Sequence, residues 1–150
     1  GVAGSDRVTG PYRFLHAGRI NAGKWAENAS DELKNAPVPA LEDAYSGGSL
    51  PGHPDSLNIH KRDLEGGQMA RDMNLFVDDD GKAYHIYASE ENSTLQIAQL
   101  NDDYTDHNGV YVRCFAGRFM EAPAMFKHNG KYYLICLAVQ AGLLMQPVRR

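Results

Sequence analysis

The chain has 150 residues, 43% of them hydrophobic and 23% charged, a length and balance that allow one ordinary core and exclude wholesale disorder. Its formal net charge of −4, with 15 Lys and Arg spread rather than clustered, offers no general attraction to nucleic acid or to an anionic membrane. No apolar run approaches the roughly 20 residues of a membrane span, and two cysteines, Cys114 and Cys136, are too few for a disulfide framework and lack zinc-site spacing, so free thiols are expected, one or both buried.

The opening GVAGSDRVTGPY carries no secretory-signal pattern. Ser5 to Tyr12 reads as a polar turn between two extended pieces, as if the chain begins mid-domain. Tyr12 to Ala17 is a short strand. The long segment from Gly23 to Gln68, with Pro37, Pro39, Pro51, Pro54 and the pairs Gly47-Gly48 and Gly66-Gly67, reads as an ordered insertion loop with one helical patch, Ala40 to Tyr45. From Asp72 the pattern becomes β. Met73 to Val77 and Lys82 to Ala88 flank a turn at Asp78-Asp79-Asp80-Gly81; Thr94 to Leu100 and Gly109 to Phe115 add a third and a fourth strand. Ala122 to Lys127 and Lys131 to Cys136 form a second hairpin around His128-Asn129-Gly130.

The two hairpins are copies of one unit. Asp72 and Glu121 each precede a Gly by nine residues (Gly81, Gly130), then a Lys (Lys82, Lys131) and, two positions after the Lys, a Tyr (Tyr84, Tyr133). Four strands fall between the acids, which lie 49 residues apart; repeats of about 40 to 50 residues are usual for propeller blades. The expected fold is therefore all-β, an incomplete propeller with one full blade between parts of two others. In that geometry the acids share a rim, the Gly81 hairpin lies at the opposite one, and the turn Glu90 to Ser93 returns to the acids. The insertion, which leads into Asp72, crowns the same face and is a candidate specificity loop.

Several motifs read blandly. The DDDG run lacks the later ligands of a calcium loop and is a hairpin turn. His85 within a strand is a packed or hydrogen-bonded core residue, and His16, His53, His60, His107 and His128 show no metal-ligand spacing. Glu90-Glu91 is by default a solvated turn, with a sugar-binding role for Glu90 left open by its rim. Arg71 is an ion-pair partner or a substrate contact. Asp72 and Glu121 could each simply cap turn amides. Against that stand their register and the setting of Glu121 in Glu121-Ala122-Pro123-Ala124, where partial desolvation suits a general acid. Glycoside hydrolysis uses such a pair of carboxyl groups.

ARDMNLFVDDDGKAYHIYASEEN, followed by MEAPAMFKHNGKYYLI, resembles glycoside hydrolase family 43, the five-bladed propeller glycosidases of arabinans, xylans and galactans, and within it the exo-β-1,3-galactanase group. The likeness spans roughly Ser5 to Cys136. It implies an inverting hydrolase of a galactose- or arabinose-containing plant polysaccharide, with Glu121 as general acid, Asp72 as the residue that tunes and orients it, and a base outside this chain. An α-L-arabinofuranosidase and a non-catalytic carbohydrate-binding propeller piece are the alternatives. The resemblance also implies no required cofactor, room for a structural calcium ion in a complete propeller, a secreted or periplasmic location, and an incomplete chain with little activity by itself. Met120 departs from the pattern, standing where a more polar neighbour is expected.

After Cys136 the family continues into a pocket loop like SGTGWAPNAAR, whereas this chain reads LAVQAGLLMQPV. One back-translation of the latter encodes the former when read two bases later. Residues 137–150 are therefore expected to be a frameshifted, non-native tail, the alternative being an apolar C-terminal helix around Gly142 to Met145; a peptide mass from the natural protein decides between them.

Overall fold

The computed structural model describes residues 1–38 and 57–138. The expected helical patch Ala40 to Tyr45 and most of the 137–150 tail lie outside the described residues.

Among the described residues three antiparallel sheets follow one another. β1 (Val2–Gly4) pairs with β2 (Arg13–His16), and the polar turn lies between them as the sequence predicts. β3 (Met73–Val77), β4 (Ala83–Ser89), β5 (Thr94–Leu100) and β6 (His107–Cys114) form a four-stranded meander, and β7 (Met120–His128) pairs with β8 (Lys131–Ala138). One complete blade thus stands between two partial ones, the architecture of a propeller piece. Two short helices were not expected. α1 (Asp31–Asn35) starts at Ser30, whose hydroxyl accepts from the Leu33 N–H, and α2 (Ile59–Arg62) follows Asn58. Both lie within the insertion, and neither is long enough to leave a helical period in the sequence.

Strand register explains the core. The pairings His85↔Ala98↔Tyr111 and Tyr87↔Gln96↔Arg113 place two rows of side chains on one face of the blade. Ile20 and, from the insertion, Ala26, Ala29 and Leu33 cover it, packing with Tyr87, Ala98 and Tyr111, with Trp25 alongside. His60 bonds the Tyr111 hydroxyl at 2.9 Å, and that hydroxyl donates to Lys24 O at 2.7 Å. The opposite face, with Ile86 and Leu95 buried, turns to the β7–β8 hairpin.

The hairpin's far end is tied down at the rim away from the acids. Asn129 and Gly130 take the positive φ values of 49° and 72° that a tight two-residue hairpin turn requires. Lys127 Nζ meets Asp78 at 2.7 Å and Asp79 at 2.8 Å, and the Tyr132 hydroxyl donates to Asp78 at 2.5 Å. The hydrogen bond from Lys127, then that from Tyr132, holds the Asp78 carboxyl down at about 2. The DDDG turn is thus a joint between neighbouring blades.

At the seam between β1–β2 and the full blade, His85 Nδ1 and His107 Nε2 lie 2.9 Å apart, and the His85 ring meets Tyr87 at a tilt of 41°, with 4.6 Å between centroids. Two facing ring nitrogens at that distance share one hydrogen, so a doubly protonated pair is repelled. Burial first, then the charge of His107, pushes His85 down to about 4; burial lowers His107 too, against the opposing pull of Asp106, with His16 also lowering it. A histidine whose folded value lies below its unfolded one takes up its proton preferentially on unfolding, so stability falls as pH drops from about 6.5 towards 4. Urea midpoints measured across that range should decline, and His85→Phe should flatten the decline; an unchanged slope in the variant would assign the effect elsewhere.

Candidate active site

The structure brings Asp72 to the backbone of the residue that follows Glu121. Asp72 sits at the entry to β3, its backbone fixed by the Ala88 N–H, which donates to Asp72 O at 2.9 Å. Its side-chain Oδ2 accepts from the backbone N–H of Ala122 at 3.3 Å. Asp72 does bind an amide, as a simple cap would. That amide, however, belongs to the residue directly after Glu121, so the contact joins the two halves of the repeat.

Glu121 is half-buried, and its carboxylate makes no hydrogen bond or ion pair among the described residues. It begins one residue before an irregularity in β7. Glu121 pairs with Leu137 and Ala124 with Ile135, so Ala122 and Pro123 stand together opposite Cys136, a one-residue bulge. Ala122 takes a φ of 46°, left-handed for a residue with a side chain. Because paired residues point to one side and alternate residues share a side, Glu121 lies on the same face as Ala124 and Phe126. A regular, unbulged strand of the same residues would put it with Met125 and Lys127, on the face turned to the full blade. The bulge thus re-aims the acid. Sequence reasoning started this strand after Glu121 and missed the bulge, although Pro123 was its signal: proline inside a strand is confined to edges and bulges.

The turn from Glu90 to Ser93 returns to this rim, as the blade geometry predicts, but it is not a solvated turn. Glu90 is fully buried. Its Oε1 accepts from Arg113 Nε at 2.7 Å and Gln96 Nε2 at 3.1 Å; its Oε2 accepts from Arg113 Nη2 at 2.7 Å and the Thr94 hydroxyl at 3.1 Å. With both oxygens committed inward, Glu90 anchors the turn rather than facing a sugar. The register supplies the reason: Tyr87, Gln96 and Arg113 lie in one row, and Glu90 closes its end. Gln96 carries the row onward, donating to Gln68 Oε1 at 3.1 Å and accepting from the Tyr87 hydroxyl at 2.9 Å. Glu90, Glu91 and Asn92 hold φ values of 50°, 57° and 65°, a left-handed run that needs such an anchor.

Arg71 pairs with Glu91, not with Asp72: its Nη2 lies 2.7 Å from Glu91 Oε2, while Arg62 Nη2 lies 2.9 Å from Oε1. Hydrogen bonds to Asp63 and then to Glu91 raise the Arg62 guanidinium against the effect of burial. Arg71 is itself half exposed at the rim, beside Asp72. The segment carrying α2 is thus joined through Glu91 to Arg71. Among the described residues no group of three or more His, Cys, Asp or Glu could hold a metal ion.

Residues 54–142 match the family model described as glycosyl hydrolases family 43. The chain belongs to that family. A GH43 β-1,3-galactosidase with galactodeoxynojirimycin is 46% identical in sequence and superposes with a TM-score of 0.81, over 92% of this chain and 40% of that one. An exo-β-1,3-galactanase from Clostridium thermocellum is 44% identical over 47% of this chain and 15% of its own, with a TM-score of 0.46. An α-L-arabinofuranosidase from the same organism is 28% identical over 89% of this chain and 33% of its own, with a TM-score of 0.49. The chain thus spans well under half the length of each of these structures. Comparison with curated proteins gives no match.

Proposed function

We propose that the polypeptide carrying this chain is an inverting exo-β-1,3-galactosidase of galactose-containing plant polysaccharide, with Glu121 as general acid and Asp72 as the group that orients it. The carrying observation is that Asp72 holds the amide next to Glu121 while the Glu121 carboxylate stays unengaged among the described residues. A carboxyl group that must give its proton to a leaving oxygen needs a fixed backbone and a free head group. In the reaction, Glu121 protonates the glycosidic oxygen as the bond to the anomeric carbon breaks. Water adds to that carbon from the opposite side and loses its proton to a base supplied from outside these 150 residues. The likeness to the β-1,3-galactosidase supports the choice of sugar and linkage. A polysaccharide substrate does not cross a membrane unaided, which supports a secreted or periplasmic enzyme. Arg71, half exposed beside Asp72, is the proposed substrate contact.

The test is the full-length polypeptide on β-1,3-galactan, followed by NMR. Free galactose should appear first as the α-anomer. First appearance of the β-anomer would remove the inverting mechanism, and binding of galactan without release of sugar would favour a carbohydrate-binding role.

A further inference from the structure

Two residues before Glu121 stands Phe119, a side chain with no part in glycoside chemistry. Its backbone is left-handed, with a φ of 50°, a conformation that a bulky residue keeps only where its surroundings enforce it. Two contacts enforce it here. The Phe119 N–H donates to Ser93 O at 3.3 Å, at the end of the anchored Glu90 turn. The ring packs against Leu57 and Ile59, which form an apolar cluster at the start of α2.

That cluster is in turn held from several sides. The buried Asn58 amide donates to Leu33 O at 2.9 Å and Ala36 O at 3.1 Å, at the end of α1. Gln68 donates to His60 O at 3.0 Å, and Arg62 is paired with Glu91. Glu121 therefore lies between two pinned points, Phe119 on one side and the amide of Ala122 on the other. Only Met120 separates it from the first.

We propose that Phe119 is a positioning residue for Glu121, and that the α2-bearing arm of the insertion acts as a brace for proton donation by gripping its ring. This rests on Glu121 being the general acid. Proton transfer needs heavy atoms within about 2.6–3.2 Å, so a loosened Phe119 harms that step more than it harms binding of the sugar.

The experiment compares two substrates in the full-length enzyme. β-1,3-Galactobiose has a sugar leaving group that must be protonated; dinitrophenyl β-galactoside has one that departs without an acid. Phe119→Ala should lower kcat on galactobiose by roughly 10- to 100-fold, the scale of a misplacement of about 1 Å, leaving KM and the dinitrophenyl rate within about twofold of wild type. Phe119→Leu, which keeps an apolar grip on Leu57 and Ile59, should recover most of the loss. Equal losses of Phe119→Leu and Phe119→Ala on both substrates, or no loss in either variant, would overturn the brace. Glu121→Gln is the control: leaving-group dependence there but not in Phe119→Ala refutes the brace alone, while its absence in Glu121→Gln removes the acid assignment and the brace with it.

Discussion

Glu121→Gln in the full-length enzyme is expected to lower kcat on β-1,3-galactan by roughly 10²–10⁴-fold, the usual contribution of a positioned general acid. The substitution keeps the size of the side chain and removes its transferable proton. Its backbone neighbour Ala122 should stay bound to Asp72, because that contact uses the main chain. Galactan affinity should therefore change little, and the loss should appear in kcat rather than KM. Steady-state rates together with calorimetric binding of galactan measure both quantities. Hydrolysis at the wild-type rate would strip Glu121 of its role.

The second large effect concerns stability. Glu90→Ala is expected to cost about 3–5 kcal/mol, the range for breaking a buried ion pair by removing one partner. The penalty follows from what stays behind: the Arg113 guanidinium, whose side chain is 10% exposed, would keep its charge in a nearly dry site. Gln96 and Thr94 would lose acceptors as well. Replacing both members, Glu90→Leu with Arg113→Met, should recover much of the loss, since apolar groups of similar volume often substitute for such pairs at little cost. Urea midpoints of the two variants decide it. A loss below about 1 kcal/mol in Glu90→Ala would place the pair in the class of solvated surface bridges.

The legible part of this protein was its periodic part. Alternation and turn residues placed β3 and β5 at their observed bounds and the other strands within a few residues, because sheet register obeys a period of two and each hairpin turn carries its own chemistry. The juxtaposition of Asp72 with the Glu121 segment was legible for the same reason: a repeat maps sequence register onto a shared rim. What stayed hidden depended on contacts distant in sequence. Glu90 looks like any polar turn residue until Arg113, 23 positions later, is brought beside it by the row through Gln96. Phe119 lies in a short loop, and its partners Leu57 and Ile59 sit in an insertion without periodicity. α1 and α2 are too short to announce themselves, being held by caps such as Ser30 and by buried side chains such as Asn58.

The extra residue in β7 separates two properties of the acid, its side of the sheet and its tether. Deleting Ala122 or Pro123 would leave a regular strand with Glu121 two positions before Ala124, so either loss keeps the acid on its present face. The tether responds differently. Without Ala122 the residue after Glu121 is Pro123, which has no N–H, and Asp72 loses the amide it holds. Without Pro123 that amide remains, so of two lost codons one spares the link between the halves of the repeat and the other cuts it.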